Sequence, residues 1–64
     1  MSNQRTLIRC MKLIDYLTEK PRQVYSIVQY LNVSERTVYR YFRAFEEIGY
    51  KVIKDKFGKY TLIK

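Results

Sequence analysis

Three residues in the middle of the chain, Asn32-Val33-Ser34, constrain its fold more than any other feature, because they can end one helix and begin the next. Asn tolerates the left-handed backbone conformation that stops a helix, and Ser is a strong N-cap whose hydroxyl accepts from an early helical N–H. Upstream, Val24, Ile27, Val28 and Leu31 recur at i, i+3, i+4 and i+7, which predicts a two-turn helix over about 24–31. Downstream, Val38, Tyr41, Phe42, Phe45 and Ile48 give a helix over 35–48 its inward face, and Gly49 supplies the stop. Arg36, Tyr39, Arg40, Arg43 and Glu47 fall on its outer face. A helix of two turns is marginal alone, so this pair must pack on further elements.

The first of these is a helix over about 6–19. Leu7, Cys10, Met11, Ile14 and Leu17 form its apolar face, Ile8 and Leu13 flank it, and Arg5, Arg9, Lys12 and Tyr16 lie opposite. Lys20-Pro21-Arg22 ends it, since the residue before Pro is pushed out of the helical region. Beyond Gly49 the period changes to two: Tyr50 and Val52 alternate with Lys51, and Tyr60 and Leu62 alternate with Thr61 and Ile63. Between them a turn-rich stretch, 55–59, holds the second Gly, predicting a hairpin over about 51–63 with a basic tip. The expected fold is mainly α with a small β-hairpin: a three-helix winged helix-turn-helix, forming a single domain over 1–64.

A chain of 64 residues buries only roughly 60% of the surface its unfolded form exposes. Seven Tyr and three Phe must therefore carry much of the core. Cys10 has no partner for an internal disulfide and reads as a small core residue. There is no His, no Cys pair and no Gly-rich phosphate loop, and Glu46 and Glu47 are adjacent on a helix and do not face each other. No enzyme activity, metal, cofactor or small-molecule ligand is expected. Without a leader or a run of 18 apolar residues, no membrane association is expected either, and the cytoplasm is the expected location.

Thirteen Lys and Arg against six Asp and Glu leave a net charge of +7. That suits a polyphosphate partner, although solubility alone also favours charge, so position decides. No acid lies among Arg36, Arg40 and Arg43, and Lys51, Lys54, Lys56, Lys59 and Lys64 are opposed by Asp55 alone. Two helices joined by a three-residue turn, the second presenting cations outward, match a reader of the DNA major groove. On that reading Ser34, Arg36 and Thr37 lie nearest the duplex, and Arg40 and Arg43 follow on the same side. Arg can grip guanine as a fork, and Thr can touch a thymine methyl. Thr37 and an exposed Tyr39 would serve solvation poorly, whereas capping alone accounts for Ser34. Lys54, Lys56 and Lys59 on the hairpin would hold phosphates or the adjacent minor groove, although lysines also blunt an edge strand against aggregation. Phe57 at the tip is expected to pack locally rather than wedge into DNA.

The string Asn32-Val33-Ser34-Glu35-Arg36-Thr37-Val38-Tyr39-Arg40, with Phe45, Gly49-Tyr50, Val52 and Gly58-Lys59-Tyr60-Thr61-Leu62, resembles the winged-helix domain at the N-terminus of DeoR-like and WYL-type bacterial transcription regulators. The resemblance spans nearly the whole chain. It implies a recognition helix at 35–48 and a wing at about 51–63, with contacts from Ser34, Arg36, Thr37, Tyr39 and Arg40. Tyr41 stands where such families often carry Asp, Ile27-Val28 replaces a frequent Leu-Ala, and the ligand-sensing domain usual in those regulators is absent from the chain.

The expected function is sequence-specific binding of double-stranded DNA in transcription regulation, by a monomer or a homodimer. Two alternatives remain open. One is a protein-interaction winged helix using a patch of Tyr16, Tyr25 or Tyr30 with Ile8 and Leu13; the other is an excisionase-like accessory factor of a mobile element that bends DNA. RNA is a poorer fit, because the deep, narrow major groove of an A-form helix does not admit such a helix.

Overall fold

The computed structural model describes residues 2–64, with side chains from Arg5 onward. Its elements are α1 (Ser2–Glu19), β1 (Arg22–Gln23), α2 (Val24–Leu31), α3 (Glu35–Glu47), β2 (Lys51–Lys54) and β3 (Lys59–Ile63). The strands form an antiparallel sheet in the order β1-β3-β2, with Val52 opposite Leu62 and Arg22 opposite Tyr60. This is a winged helix-turn-helix, mainly helical with a small sheet.

Both helix boundaries at the central turn come from the residues that predicted them. Asn32 adopts φ 55° and ψ 51°, and its N–H returns to the Val28 carbonyl. Ser34 caps α3, its Oγ accepting from the Thr37 N–H at 3.1 Å. At the far end of α3 the chain closes in a Schellman arrangement. Gly49, at φ 105°, donates to the Glu46 carbonyl, Tyr50 donates to Phe45, and the Phe45 and Tyr50 rings meet at 6.0 Å. Here one expectation is corrected: Ile48 is the C-cap residue and 69% exposed rather than inward. The helix has already ended at Glu47, so the helical spacing that would carry Ile48 to the core no longer applies.

The core joins Leu13 and Leu17 of α1, Ile27 and Leu31 of α2, Val38, Tyr41, Phe42 and Phe45 of α3, and Leu62 of β3. Relative to the expected face, α1 is turned. Leu13, expected at the flank, is fully buried beside Leu17, with Cys10 and Ile14 packed against them, while Leu7, Ile8 and Met11 are exposed. The reason is what packs on α1: both α2 and β3 lie against it, and Cys10, Leu13, Ile14 and Leu17 share the side turned to them, whereas Met11, at about 100° round the axis from Cys10, does not. The helix also starts at Ser2 rather than near Thr6. Nothing in 2–5 breaks a helix, and only the apolar period begins later, at Leu7.

β1 has no counterpart in the expected hairpin. Its two residues are too short to show a period, yet they pair with β3 and make it the central strand. Arg22 fastens this junction. Its Nε donates to the Tyr16 carbonyl at 3.2 Å, its guanidinium lies 3.8 Å from the Tyr16 ring centre, and it pairs with Glu19. Tyr30 stacks on Tyr16 at 4.1 Å and 4°. Two groups so close to one ring centre must occupy opposite faces, so Tyr16 is sandwiched. The proposed tyrosine patch is thereby corrected: Tyr16 is half-buried and engaged, and Leu13 belongs to the core, leaving Tyr25, Tyr30 and Ile8 exposed. Among the described residues, no helix is long and apolar enough to cross a membrane.

Candidate nucleic-acid interface

The outer face of α3 and the adjoining sheet enclose an open groove of about 850 Å³. Arg36, Arg40 and Arg43 line it at steps of four and three, which places the three guanidinium groups on one helix face. Tyr39, Phe42, Val52 and Tyr60 supply the floor and far wall. Their rings interlock: Tyr39 meets Phe42 edge-on at 6.0 Å and Tyr60 at 6.5 Å, and Phe42 lies 4.8 Å from Tyr60. Tyr39 therefore owes its place to packing between α3 and the sheet, although 45% of it remains exposed. Hydrogen bonding to Tyr60, then desolvation, pushes its phenol up from the ordinary value.

Two acids, Glu35 and Glu46, also line the groove, one near each end of α3. Neither stands out by sequence reasoning. Glu35 in the first turn favours the positive end of the helix dipole, and helical phase put Glu47, not Glu46, with the arginines. Phe42, Val52 and Tyr60 were equally hard to find, because their place in the groove depends on how the sheet docks on α3.

Ser34 and Thr37 are placed differently from the arginines. Their hydroxyl oxygens share a hydrogen bond at 3.0 Å, and neither residue lines the groove. A β-branched residue near the start of α3 thus has a capping reason of its own.

The hairpin runs back along α3. It leaves the helix C-terminus where Tyr50 packs on Phe45, and near its tip Tyr60 reaches Tyr39 in the N-terminal half of α3. Lys54 sits with its ammonium 6.0 Å from the Tyr60 ring, and Lys59 pairs with Gln23 on the other side of β3. The turn between them is tied by Asp55. Its Oδ1 accepts from the N–H groups of Phe57 at 2.8 Å and Lys59 at 2.9 Å, its backbone N–H donates to the Lys59 carbonyl, and Gly58 takes φ 78°. An Asp followed by Gly three residues on is the signal for such a turn. Phe57 corrects another expectation: it does not pack into the domain but is 68% exposed, its ring met by the Lys56 ammonium at 5.3 Å. Both ends of this turn are held by backbone bonds, so the side chains at its apex point away from the core.

Of the residues singled out from sequence, Arg36, Tyr39, Arg40 and Arg43 are thus gathered in one groove, with Lys54 beside its aromatic wall. Lys56 and Lys59 lie on the hairpin outside it, and Ser34 and Thr37 on the helix cap.

A helix-turn-helix whose second helix carries a cationic groove is the arrangement of a DNA reader, and the family model for HTH domains matches residues 6–57. The chain belongs to the HTH domain family. The match covers all of α2, the turn and α3, and extends through β2 to the wing tip. No curated protein and no solved structure matches the chain. As an HTH domain it is a DNA-binding domain.

Proposed function

We propose that this HTH domain reads duplex DNA in a sequence-specific way and serves a cytoplasmic transcription regulator, with α3 in the major groove and the wing on the backbone or the neighbouring minor groove. The observation that carries this reading is the row of Arg36, Arg40 and Arg43 along a groove whose far wall is the wing. Arg36, nearest the helix N-terminus, and Arg40 are the base readers, each able to fork onto guanine. Tyr39 holds the wing at its angle to the helix, and Arg43 with Lys54, Lys56 and Lys59 meets phosphate, adding affinity that carries no sequence information. Ser34 and Thr37 contribute by setting the helix start, where a cap hydroxyl can also touch a phosphate.

The test is a duplex recovered from a random-sequence pool, titrated at several salt concentrations. Replacing both base readers (Arg36→Ala with Arg40→Ala) is expected to weaken binding at least about tenfold and to erase preference for the selected sequence. Replacing the three wing lysines with Ala is expected to lower the salt slope by up to about 2.7, at roughly 0.9 per phosphate contact, with sequence preference retained. Unchanged affinity and unchanged slope in both variants would end the proposal.

Self-association is a second reading, favoured by Leu7, Ile8 and Met11, which α1 leaves uncovered. Two copies joined there would present two recognition helices to half-sites about one DNA turn apart. Sedimentation over a range of concentrations, with and without Met11→Asp, distinguishes this from a monomer.

A further inference from the structure

We propose that Phe57 is a wedge: on binding, the wing tip inserts this ring between base pairs in the minor groove beside the site read by α3, and bends the duplex. The inference rests on the DNA-reading proposal above and adds to it a deformation of the DNA.

Four observations carry it. An aromatic ring 68% exposed at the apex of a hairpin has no part in the core. The turn that presents it is braced on both sides by the Asp55 carboxylate, so the ring is held out on a fixed support. Lys54, Lys56 and Lys59 surround it within the same hairpin, a charge pattern that draws the tip to phosphate and leaves the apolar ring at the centre. Finally, the tip lies toward the N-terminal end of α3, because Tyr60, three residues from Phe57, contacts Tyr39. Phe57 stands in the turn just ahead of β3, so its ring projects at the tip of the hairpin, beyond the groove wall that Tyr60 forms. Apolar side chains inserted at a base step partly unstack it and kink the helix away from the minor groove. Such a ring gains burial in the stack that it lacks in the free protein. The cation over its face, Lys56, is free to move to the flanking phosphates.

The experiment uses the full chain and a duplex recovered from a random-sequence pool, with 2-aminopurine at steps flanking the selected core. Bending is read by energy transfer between dyes at the two duplex ends. The expected result is a bend of roughly 20–90° and a rise in 2-aminopurine fluorescence at one step. Phe57→Ala removes both and weakens binding by no more than about tenfold, with the salt slope unchanged, because the lysines remain. Phe57→Leu retains most of the bend. As Phe57 lies outside the core, circular dichroism of the variants should match the parent.

An equal bend with Phe57→Ala, or tight binding to a straight duplex, overturns the wedge and leaves the DNA-reading proposal standing. Failure to recover any duplex overturns both. If Phe57→Ala instead dissociates a dimer seen in sedimentation, while bend and fluorescence are unaltered, the ring is a protein contact and the wedge is wrong.

Discussion

The hydroxyls of Ser34 and Thr37 turn to each other, and the consequence is a separation of stability from recognition at the start of α3. Ser34→Ala should cost about 1 kcal/mol through loss of the cap, lowering the melting temperature by about 4–8 °C in a domain of this size. Sequence preference should be little changed, as competition binding against shuffled duplexes would reveal. Glu35 and Glu46 invite the opposite test. Carboxylates lining a groove of arginines oppose phosphate, so Glu46→Gln should tighten DNA binding, most visibly at low salt where charges are least screened. Equal affinity at low salt would show that Glu46 stands clear of the duplex. Cys10 offers a pH signature. Burial pushes its thiol up, so as pH rises the unfolded chain deprotonates first; stability is intact below the ordinary thiol value and falls on the alkaline side. Cys10→Ser should flatten that alkaline decline in denaturant titrations, and alkylation of Cys10 should be slower in the folded chain than in urea.

Elements differ in what holds them. α2 and α3 are set by their own capping residues and apolar spacing, and the wing turn is set by Asp55 and Gly58. Asp55→Ala should loosen the hairpin apex and little else. Hydrogen exchange is expected to accelerate at the amides of Phe57 and Lys59, which lose their carboxylate acceptor, while the amides of α1 and α3 keep their protection. This division also explains what was legible beforehand. The turn at 32–34, both helices around it and the hairpin registered in local chemistry, in an Asn, a Ser, two Gly and the change of period after Gly49. The face that α1 buries did not, because Leu7, Met11 and Leu17 satisfy the same spacing and only the side on which α2 and β3 dock decides among them. β1 was invisible for a different reason: two residues have no period, and their pairing depends on where β3 arrives. In the groove, helical phase located the arginines, but Tyr60, Val52 and Glu46 required the angle between sheet and helix.

At the scale of the whole molecule the margin is thin. A chain of 64 residues has a folding free energy on the order of 3–10 kcal/mol. Leu13 and Leu17 are fully buried, and truncating either to Ala should cost about 2–5 kcal/mol, a large part of that total. Met11→Ala, at an exposed position of the same helix, should stay within about 0.5 kcal/mol. Chemical denaturation of the three variants checks the order, and equal losses at 11 and 13 would mean that α1 buries a different face. The sheet carries a further consequence. With β1 on one side and β2 on the other, β3 has both of its edges occupied next to the turn of the wing, at Lys59 and Tyr60, and Arg22 ties β1 to α1. A hairpin attached by one edge would swing and have to be stilled on contact; this one arrives already aimed. Less motional freedom is left to lose when a partner is engaged, so more of each contact's strength is retained as affinity.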